Sequence, residues 1–102
     1  MIHVIASITT APGSRAPFLE EFNRLVPSVR AEAGCIEYGP TLDVETGIAG
    51  IPGTREDVVT VIEKWQSVEA LDAHLRAPHM LQYRTAVKDF VTIVEIRVTR
   101  PA

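Results

Sequence analysis

The sequence predicts a single α+β domain, and three observations support this prediction. The chain has 102 residues of which 46% are hydrophobic, so it can build one core but not two. Stretches rich in β-branched residues occur at both ends of the chain and in its middle. Between them, other stretches carry apolar residues at helical spacing. Strands and helices therefore alternate within one domain over residues 1–102.

The first half of the chain begins with a predicted strand over residues 2–10, where nearly every side chain is apolar. Ser14 is predicted to cap a helix that Pro27 kinks and that Gly34 ends. A second strand is predicted over residues 35–44. The buried face of the helix is formed by apolar residues three or four positions apart, namely Phe18, Phe22, Leu25 and Val29.

The second half begins with a loop over residues 45–56 and a third strand over residues 57–66. Ser67 is predicted to cap a short helix, and Pro78 to end it and begin another. A last apolar strand follows over residues 91–99. The inward residues of the two helices are Val68, Leu71 and Leu75, and then Met80, Tyr83, Val87 and Phe90. This β-α-β-β-α-β order, with a split second helix, predicts the ferredoxin-like fold with an antiparallel sheet.

Charge and composition argue against several classes of protein. Ten basic and 13 acidic side chains are mixed along the chain and give a net charge of −3, so we expect no nucleic-acid partner and no polybasic membrane anchor. No apolar stretch approaches the roughly 20 residues that span a bilayer, so we expect no membrane insertion. The first residues lack a charged secretory leader, and the cytoplasm is the expected compartment. The lone Cys35 is interpreted as a small core residue.

The strands carry more apolar surface than the predicted helices can cover. Val4, Ala6 and Ile8 alternate with Ile5 on the first strand, and the last strand is also apolar on both faces. Two helical segments cover one face of a four-stranded sheet, so the other face predicts a partner. We expect a homodimer. The alternative is a monomer with an apolar sheet face.

The sequence contains no recognisable cofactor or metal site. The glycines of the 45–56 loop lack a following Lys-Ser/Thr and open no helix, so they predict a hairpin loop or lid and not a phosphate cradle. His74 and His79 are five residues apart with Pro78 between them, so we expect their rings not to face each other. No dinucleotide fingerprint or Cys/His cluster is present. We therefore expect no cofactor and no metal.

Several polar or aromatic residues occur on otherwise apolar faces. His74 lies at the edge of a helical stripe, where it faces a cavity or, alternatively, bonds to backbone as a boundary residue. Glu63 shares a strand face with Trp65 and two valines, so it needs a partner or a raised pKa. An ion pair between subunits is the preferred interpretation of Glu63, and a role in a site is the alternative. Tyr38 and Tyr83 offer phenol groups to a site or to the core.

Nine short segments, taken in order, resemble a known superfamily: Val4–Ala6, Pro12–Gly13, Leu25–Pro27, Gly34–Cys35, Tyr38, Ile62–Glu63, Trp65, Ala73–Leu75 and Pro78–Met80. The chain resembles the antibiotic-biosynthesis-monooxygenase superfamily over essentially its whole length, and most closely the bacterial quinol monooxygenase branch. The resemblance implies a ferredoxin-like homodimer whose two sheets form a dimeric α+β barrel, with a pocket between sheet and helices. It also implies oxidation or oxygenation of quinols or other polyphenols without flavin, haem or metal.

Two other branches of the superfamily suggest different reactions. Haem-degrading members use an asparagine, a tryptophan and a histidine where this chain has Ser7, His74 and Arg84, so haem degradation is disfavoured. Isomerases of small phosphorylated signalling sugars also resemble this chain. Arg24, Arg76 and Arg84 form no clear phosphate clamp in the sequence, and this alternative stays open.

The leading hypothesis is a cofactor-independent monooxygenase in which His74, as general base, takes a proton from a dihydroxyaromatic substrate. The resulting quinolate passes an electron directly to dioxygen inside a dry pocket. A non-catalytic dimer that only binds a small molecule is the alternative from a different class. The predicted substrate-binding residues are Tyr38, Glu63, Trp65, His79 and Tyr83.

Overall fold

The computed structural model describes residues 1–102 and confirms the predicted ferredoxin-like α+β arrangement. The elements are β1 (Ile2–Thr10), α1 (Arg15–Arg30), β2 (Cys35–Thr41), β3 (Val58–Trp65), α2 (Val68–Leu75), α3 (Pro78–Val87) and β4 (Val91–Thr99). The four strands form one antiparallel sheet in the order β2-β3-β1-β4. None of the three helices has the length and apolar character needed to cross a membrane.

Some local features differ from the prediction. Strand β2 ends at Thr41, three residues earlier than predicted, where the chain enters the exposed loop. Ser67 caps α2 as predicted, since its side chain accepts a hydrogen bond from the Ala70 amide. Ser14 forms no such bond, because its backbone is already helical and does not aim the hydroxyl at the first turn. Val68 is 58% exposed, since only the second turn of α2 packs into the core.

The core lies between the sheet and the three helices. Alternate residues of β1 and β3 point toward the helices and are buried, whereas their neighbours point to the other face. Helix α1 packs on β2 and α3. Its contribution to the core is the set Phe18, Phe22, Leu25, Val26 and Val29, which includes all four residues of the predicted buried face.

Strand β4 is not covered by the helices of its own chain. Val94, Ile96 and Val98 pair with buried residues of β1 and so lie on the helix side of the sheet. Each of them is about half exposed. The opposite face of the sheet also exposes apolar side chains, namely Ile5, Ile62 and Ile93, among polar neighbours. The uncovered apolar surface therefore includes both faces at the β4 edge, and not only the face away from the helices.

The turn between α1 and β2 is held closely against α2. Gly34 has a φ of +82°, a conformation that L side chains rarely adopt. A Cβ atom at this position would also lie 2.7 Å from the Cβ of Ala70. The Gly34 carbonyl accepts a hydrogen bond from the amide of Gln66. These contacts fix the backbone of the turn, which also carries Glu32.

Candidate functional site

A cavity of about 380 Å³ lies between the sheet and the helices. Twelve of its 16 lining residues are hydrophobic. Sites for small molecules typically have volumes of about 300 to 1,000 Å³ and mostly apolar walls with a few polar groups, and this cavity meets both conditions. Four of the six predicted site residues line it: Tyr38, Glu63, His74 and Tyr83.

The cavity opens beside β4. Val94 and Ile96 form part of its wall and are about half exposed, so the cavity reaches the surface on that side. Arg84 and Lys88 of the α3 region are the cationic residues among its lining. The guanidinium of Arg84 donates a hydrogen bond to the Leu75 carbonyl at the end of α2. The cavity lining thus includes two exposed cationic side chains beside its apolar walls.

Three aromatic rings form one wall of the cavity. Phe22 of α1 stacks on Tyr38 of β2 with 5.4 Å between ring centroids, and it meets Tyr83 of α3 edge-on at 5.7 Å. Burial raises the pKa of both tyrosines, so their phenols stay protonated at neutral pH and act as donors. The Tyr38 hydroxyl has no hydrogen-bond partner in the protein. Since no fully buried polar side-chain atom lacks a partner, this hydroxyl borders the cavity.

Glu63 lies inside the subunit and not at an interface. Its Oε1 accepts a hydrogen bond of 2.9 Å from the indole N–H of Trp65, which is fully buried. The interpretation of Glu63 as half of an ion pair between subunits is therefore wrong, because its face of β3 packs against the helices. Burial raises the pKa of the Glu63 carboxyl, and the Trp65 hydrogen bond partly opposes this shift.

The raised pKa of Glu63 predicts how its substitution changes stability. The folded protein binds the proton of Glu63 more tightly than the unfolded chain does, so stability falls as the pH rises above the ordinary carboxyl value of 4.5. We expect Glu63→Gln to raise the free energy of unfolding at pH 7 and to change it little near pH 4. Urea unfolding at both pH values measures this. An equal gain in the free energy of unfolding at pH 7 and near pH 4 would contradict this prediction. The control is Glu20→Gln, at an exposed position of α1.

Glu32 was not predicted from the sequence, yet its carboxylate forms hydrogen bonds with both His74 and His79. Its Oε2 is 2.8 Å from Nδ1 of His74 and 2.7 Å from Nε2 of His79. The prediction that the two rings do not face each other is wrong, because both rings meet the same oxygen of Glu32 despite the helix break at Pro78. Pro78 begins a new helix with a different direction and brings His79 back toward His74. Alanines flank Glu32, and nothing in this local sequence indicates its role.

His74 is the most enclosed ionisable group at the cavity. Its side chain is 2% exposed, and its ring lies 4.6 Å from the Trp65 ring and 5.4 Å from the Tyr38 ring. Burial lowers the pKa of His74, whereas the hydrogen bond and the charge of Glu32 raise it. Nδ1 faces Glu32, and Nε2 has no protein partner and borders the cavity. A neutral imidazole held in this way presents an unprotonated nitrogen to the cavity.

The two remaining predicted site residues lie behind the cavity. Trp65 does not line it, but contacts both Glu63 and His74 from the core side. His79 is also outside the cavity, with a side chain that is 29% exposed. It lines a separate surface groove with Glu21 and Gln82. The structure thus places His79 on the far side of Glu32 from His74 and outside the cavity.

A metal ion could in principle be bound by three residues near the cavity, Glu32, His74 and His79. Their potential ligand atoms lie within 4.8 Å of one another. The distances of 2.7 and 2.8 Å to Glu32 Oε2 are those of charge-assisted hydrogen bonds. Ligand atoms around a tetrahedral zinc ion are about 3.3 Å apart, given bonds of about 2.0 to 2.1 Å. The spacing therefore fits one carboxylate oxygen that accepts two N–H groups better than a metal centre.

Known proteins resemble this chain over nearly all of its length. "Probable quinol monooxygenase YgiN" of Escherichia coli (strain K12) is 40% identical over 103 residues, which cover 99% of this chain and 98% of that protein. The crystal structure of PA3566 from Pseudomonas aeruginosa has a TM-score of 0.81 at 29% identity and covers 99% of this chain and 94% of its own. The structure of Rv0793 from Mycobacterium tuberculosis has a TM-score of 0.77 at 27% identity, with the same coverage.

The sequence model of one family, described as antibiotic biosynthesis monooxygenase, matches residues 1–86. This match includes every element from β1 to α2 and most of α3, and therefore 11 of the 16 residues that line the cavity. The resemblance inferred from the sequence is thereby confirmed. The chain belongs to the antibiotic biosynthesis monooxygenase family.

Proposed function

We propose that the protein oxygenates a quinol or a related dihydroxyaromatic compound with dioxygen, without an organic cofactor or a metal. The observation that carries the proposal is His74, a buried neutral base whose Nε2 borders an apolar cavity with aromatic walls. The name of the E. coli relative, quinol monooxygenase, agrees with a substrate of this class.

The cavity walls suit a flat aromatic ring with hydroxyl groups. Phe22 and Met80 offer apolar contact to the ring. The Tyr38 hydroxyl, protonated because its pKa is raised, donates a hydrogen bond to an oxygen of the substrate. Glu63, whose pKa is also raised, offers a second polar group on the same sheet face. Substrate orientation follows from these few polar groups, as in most small-molecule sites.

The reaction begins with a proton transfer. The O–H bond of the quinol breaks and an Nε2–H bond forms on His74, which leaves an electron-rich quinolate. The quinolate passes one electron to dioxygen, and the two radicals combine on the ring. One oxygen atom stays in the product and the other leaves as water, so the quinol supplies all four electrons. The apolar walls keep bulk water from the radical pair and the peroxide.

Oxygen uptake by metal-stripped protein tests this proposal. Protein dialysed against a chelator is incubated with a panel of reduced naphthoquinones in air and under anaerobic conditions. We expect oxygen uptake above the spontaneous rate and one atom of ¹⁸O in the product when ¹⁸O₂ is supplied. Binding without uptake would instead identify a protein that only sequesters its ligand. Activity that disappears on chelation and returns with one metal would refute the cofactor-independent mechanism.

The isomerase alternative fits the cavity less well. A phosphorylated sugar requires hydrogen-bond partners for its hydroxyl groups and cations for its phosphate. Twelve of the 16 lining residues are hydrophobic, and one of the two cationic residues, Arg84, already donates to the Leu75 carbonyl, which leaves Lys88 as the other cation. The cavity therefore favours an aromatic substrate.

We also propose that the protein is a homodimer in which a second copy covers β4. The half-exposed row of Val94, Ile96 and Val98 continues the apolar wall of the cavity to the surface, and large apolar patches of this kind mark interfaces. Light scattering at micromolar concentration is expected to give about twice the chain mass of 11.2 kDa. Ile96→Glu is expected to shift the mass toward the monomer, and Thr85→Glu on the surface of α3 is not. A mass of one chain for the unsubstituted protein would refute the dimer.

A further inference from the structure

We propose that Glu32 is a positioning residue that makes Nε2 of His74 the basic atom, and that His79 holds Glu32 in the required orientation. The inference rests on the proposed function, because it assigns a role in the same proton transfer. Neither the predicted site nor the similarity to other proteins assigns a role to Glu32. Its position behind His74, on the side away from the cavity, is the observation from which the role follows.

The hydrogen bond from His74 to Glu32 fixes which nitrogen carries the hydrogen. A neutral imidazole has one N–H group and one acceptor nitrogen, and either ring nitrogen can hold the hydrogen. An ionised carboxylate only accepts hydrogen bonds, so Nδ1 of His74, 2.8 Å from Glu32 Oε2, must carry it. Nε2 then has a free lone pair directed to the cavity. Without Glu32, the ring is free to adopt the opposite tautomer, which cannot accept the substrate proton at Nε2.

Glu32 also stabilises the charge that forms during the reaction. When Nε2 takes a proton, an imidazolium develops on a side chain that is 2% exposed. Burial, His79 and Arg84 all lower the pKa of His74, and Glu32 alone raises it. Glu63 and Tyr38 also face the ring region from the sheet, and both stay protonated more readily than usual because their pKa values are raised. Glu32 is therefore the anion that offsets the imidazolium.

His79 orients the carboxylate. It donates a second hydrogen bond, of 2.7 Å, to the same oxygen of Glu32. The backbone of Glu32 is fixed by the Gly34 turn against Ala70, and its side chain is 14% exposed. A carboxylate with a fixed backbone and two N–H donors on one oxygen keeps that oxygen directed at His74. This role explains why His79 lies outside the cavity and still belongs to the site.

The proton stays within the site throughout the reaction. It leaves the substrate hydroxyl for Nε2, and the Nδ1–H bond to Glu32 is never broken. It later passes from Nε2 to the outer oxygen of the ring peroxide. When the O–O bond breaks, that oxygen leaves as water with a second hydrogen, lost from the ring carbon that becomes a carbonyl. Glu32 therefore needs no exchange with solvent, which agrees with its limited exposure.

Nitrogen NMR and kinetics of Glu32→Gln test the inference, with Glu21→Gln of the nearby surface groove as the matched control. In the unsubstituted protein at pH 8, we expect the His74 ¹⁵N signals of a protonated Nδ1 and an unprotonated Nε2. Glu32→Gln should reverse or mix these tautomers and lower kcat by roughly 10²- to 10⁴-fold. It should also move the acid limb of the kcat/KM profile to lower pH, because the group that raises the pKa of His74 is lost.

Further variants keep the test decisive if Glu32→Gln folds poorly. His79→Leu should lower kcat by roughly 10- to 100-fold, and His79→Gln, which retains an N–H donor, should recover most of the loss. A Glu32→Gln protein with the original tautomer and pH profile would overturn the inference, even if the unsubstituted protein oxidises quinols. The opposite result is also informative: the predicted tautomer without any oxygen-dependent turnover supports the role of Glu32 toward His74 and refutes the proposed reaction.

Discussion

Replacing His74 with alanine is expected to lower the rate of quinol oxidation by roughly 10²- to 10⁴-fold, the usual loss when a positioned acid–base group is removed. We propose His74 as the base because its ordinary pKa is near neutrality and burial lowers it further, so the neutral form is present at pH 7. Burial raises the pKa of Glu63, so this carboxyl holds its proton more readily than an exposed one and, when protonated, cannot accept the substrate proton. Initial rates of oxygen uptake measure the loss.

The controls for this substitution separate chemistry from folding. His3→Ala changes a histidine on the opposite face of the sheet and is expected to leave the rate unchanged. Circular dichroism and light scattering of His74→Ala show whether fold and assembly are kept. A folded His74→Ala protein that oxidises quinol at the original rate would exclude His74 as the base. A larger loss in His79→Ala than in His74→Ala would also contradict this assignment, since His79 lies outside the cavity.

The fold was predictable because its boundaries depend on local chemistry. The bounds of β1 and β4 agree with the predicted ranges, since each is a continuous apolar and β-branched run. The split of the second helix follows from Pro78, which cannot continue α2 but can begin α3. The end of β2 was less predictable, because the residues after Thr41 remain partly apolar although they leave the sheet.

The site residues were predictable only where an ionisable side chain occurred on an otherwise apolar face of a helix or strand. His74 and Glu63 stood out as ionisable groups on apolar faces, and both line the cavity. Glu32 gave no such signal, because it occurs in a turn and meets a residue 42 positions away. Its contact depends on the angle between α2 and α3 and on the Gly34 turn. Periodicity identifies the face of one element, but it does not specify where three separate elements meet.

Replacing Trp65 with alanine is expected to lower the free energy of unfolding by roughly 3 to 5 kcal/mol, the usual range for a buried tryptophan. Trp65 is fully buried, packs on the His74 ring and is the hydrogen-bond donor to Glu63. Its removal leaves a void in the core and a buried carboxyl without its partner. Domains of this size are stable by only about 5 to 15 kcal/mol, so much of the total is lost. Urea unfolding at fixed protein concentration measures the change.

Trp65→Phe separates the hydrogen bond from the packing. Phenylalanine retains most of the aromatic volume but has no N–H group, so the loss should be roughly 1 to 3 kcal/mol. The Trp65 hydrogen bond opposes the rise in the pKa of Glu63, and without it this pKa should rise further. The folded protein then favours the protonated carboxyl more strongly, so the destabilisation should be greater at pH 7 than near pH 4. Equal losses at both pH values would show that Trp65 supports the site through packing alone.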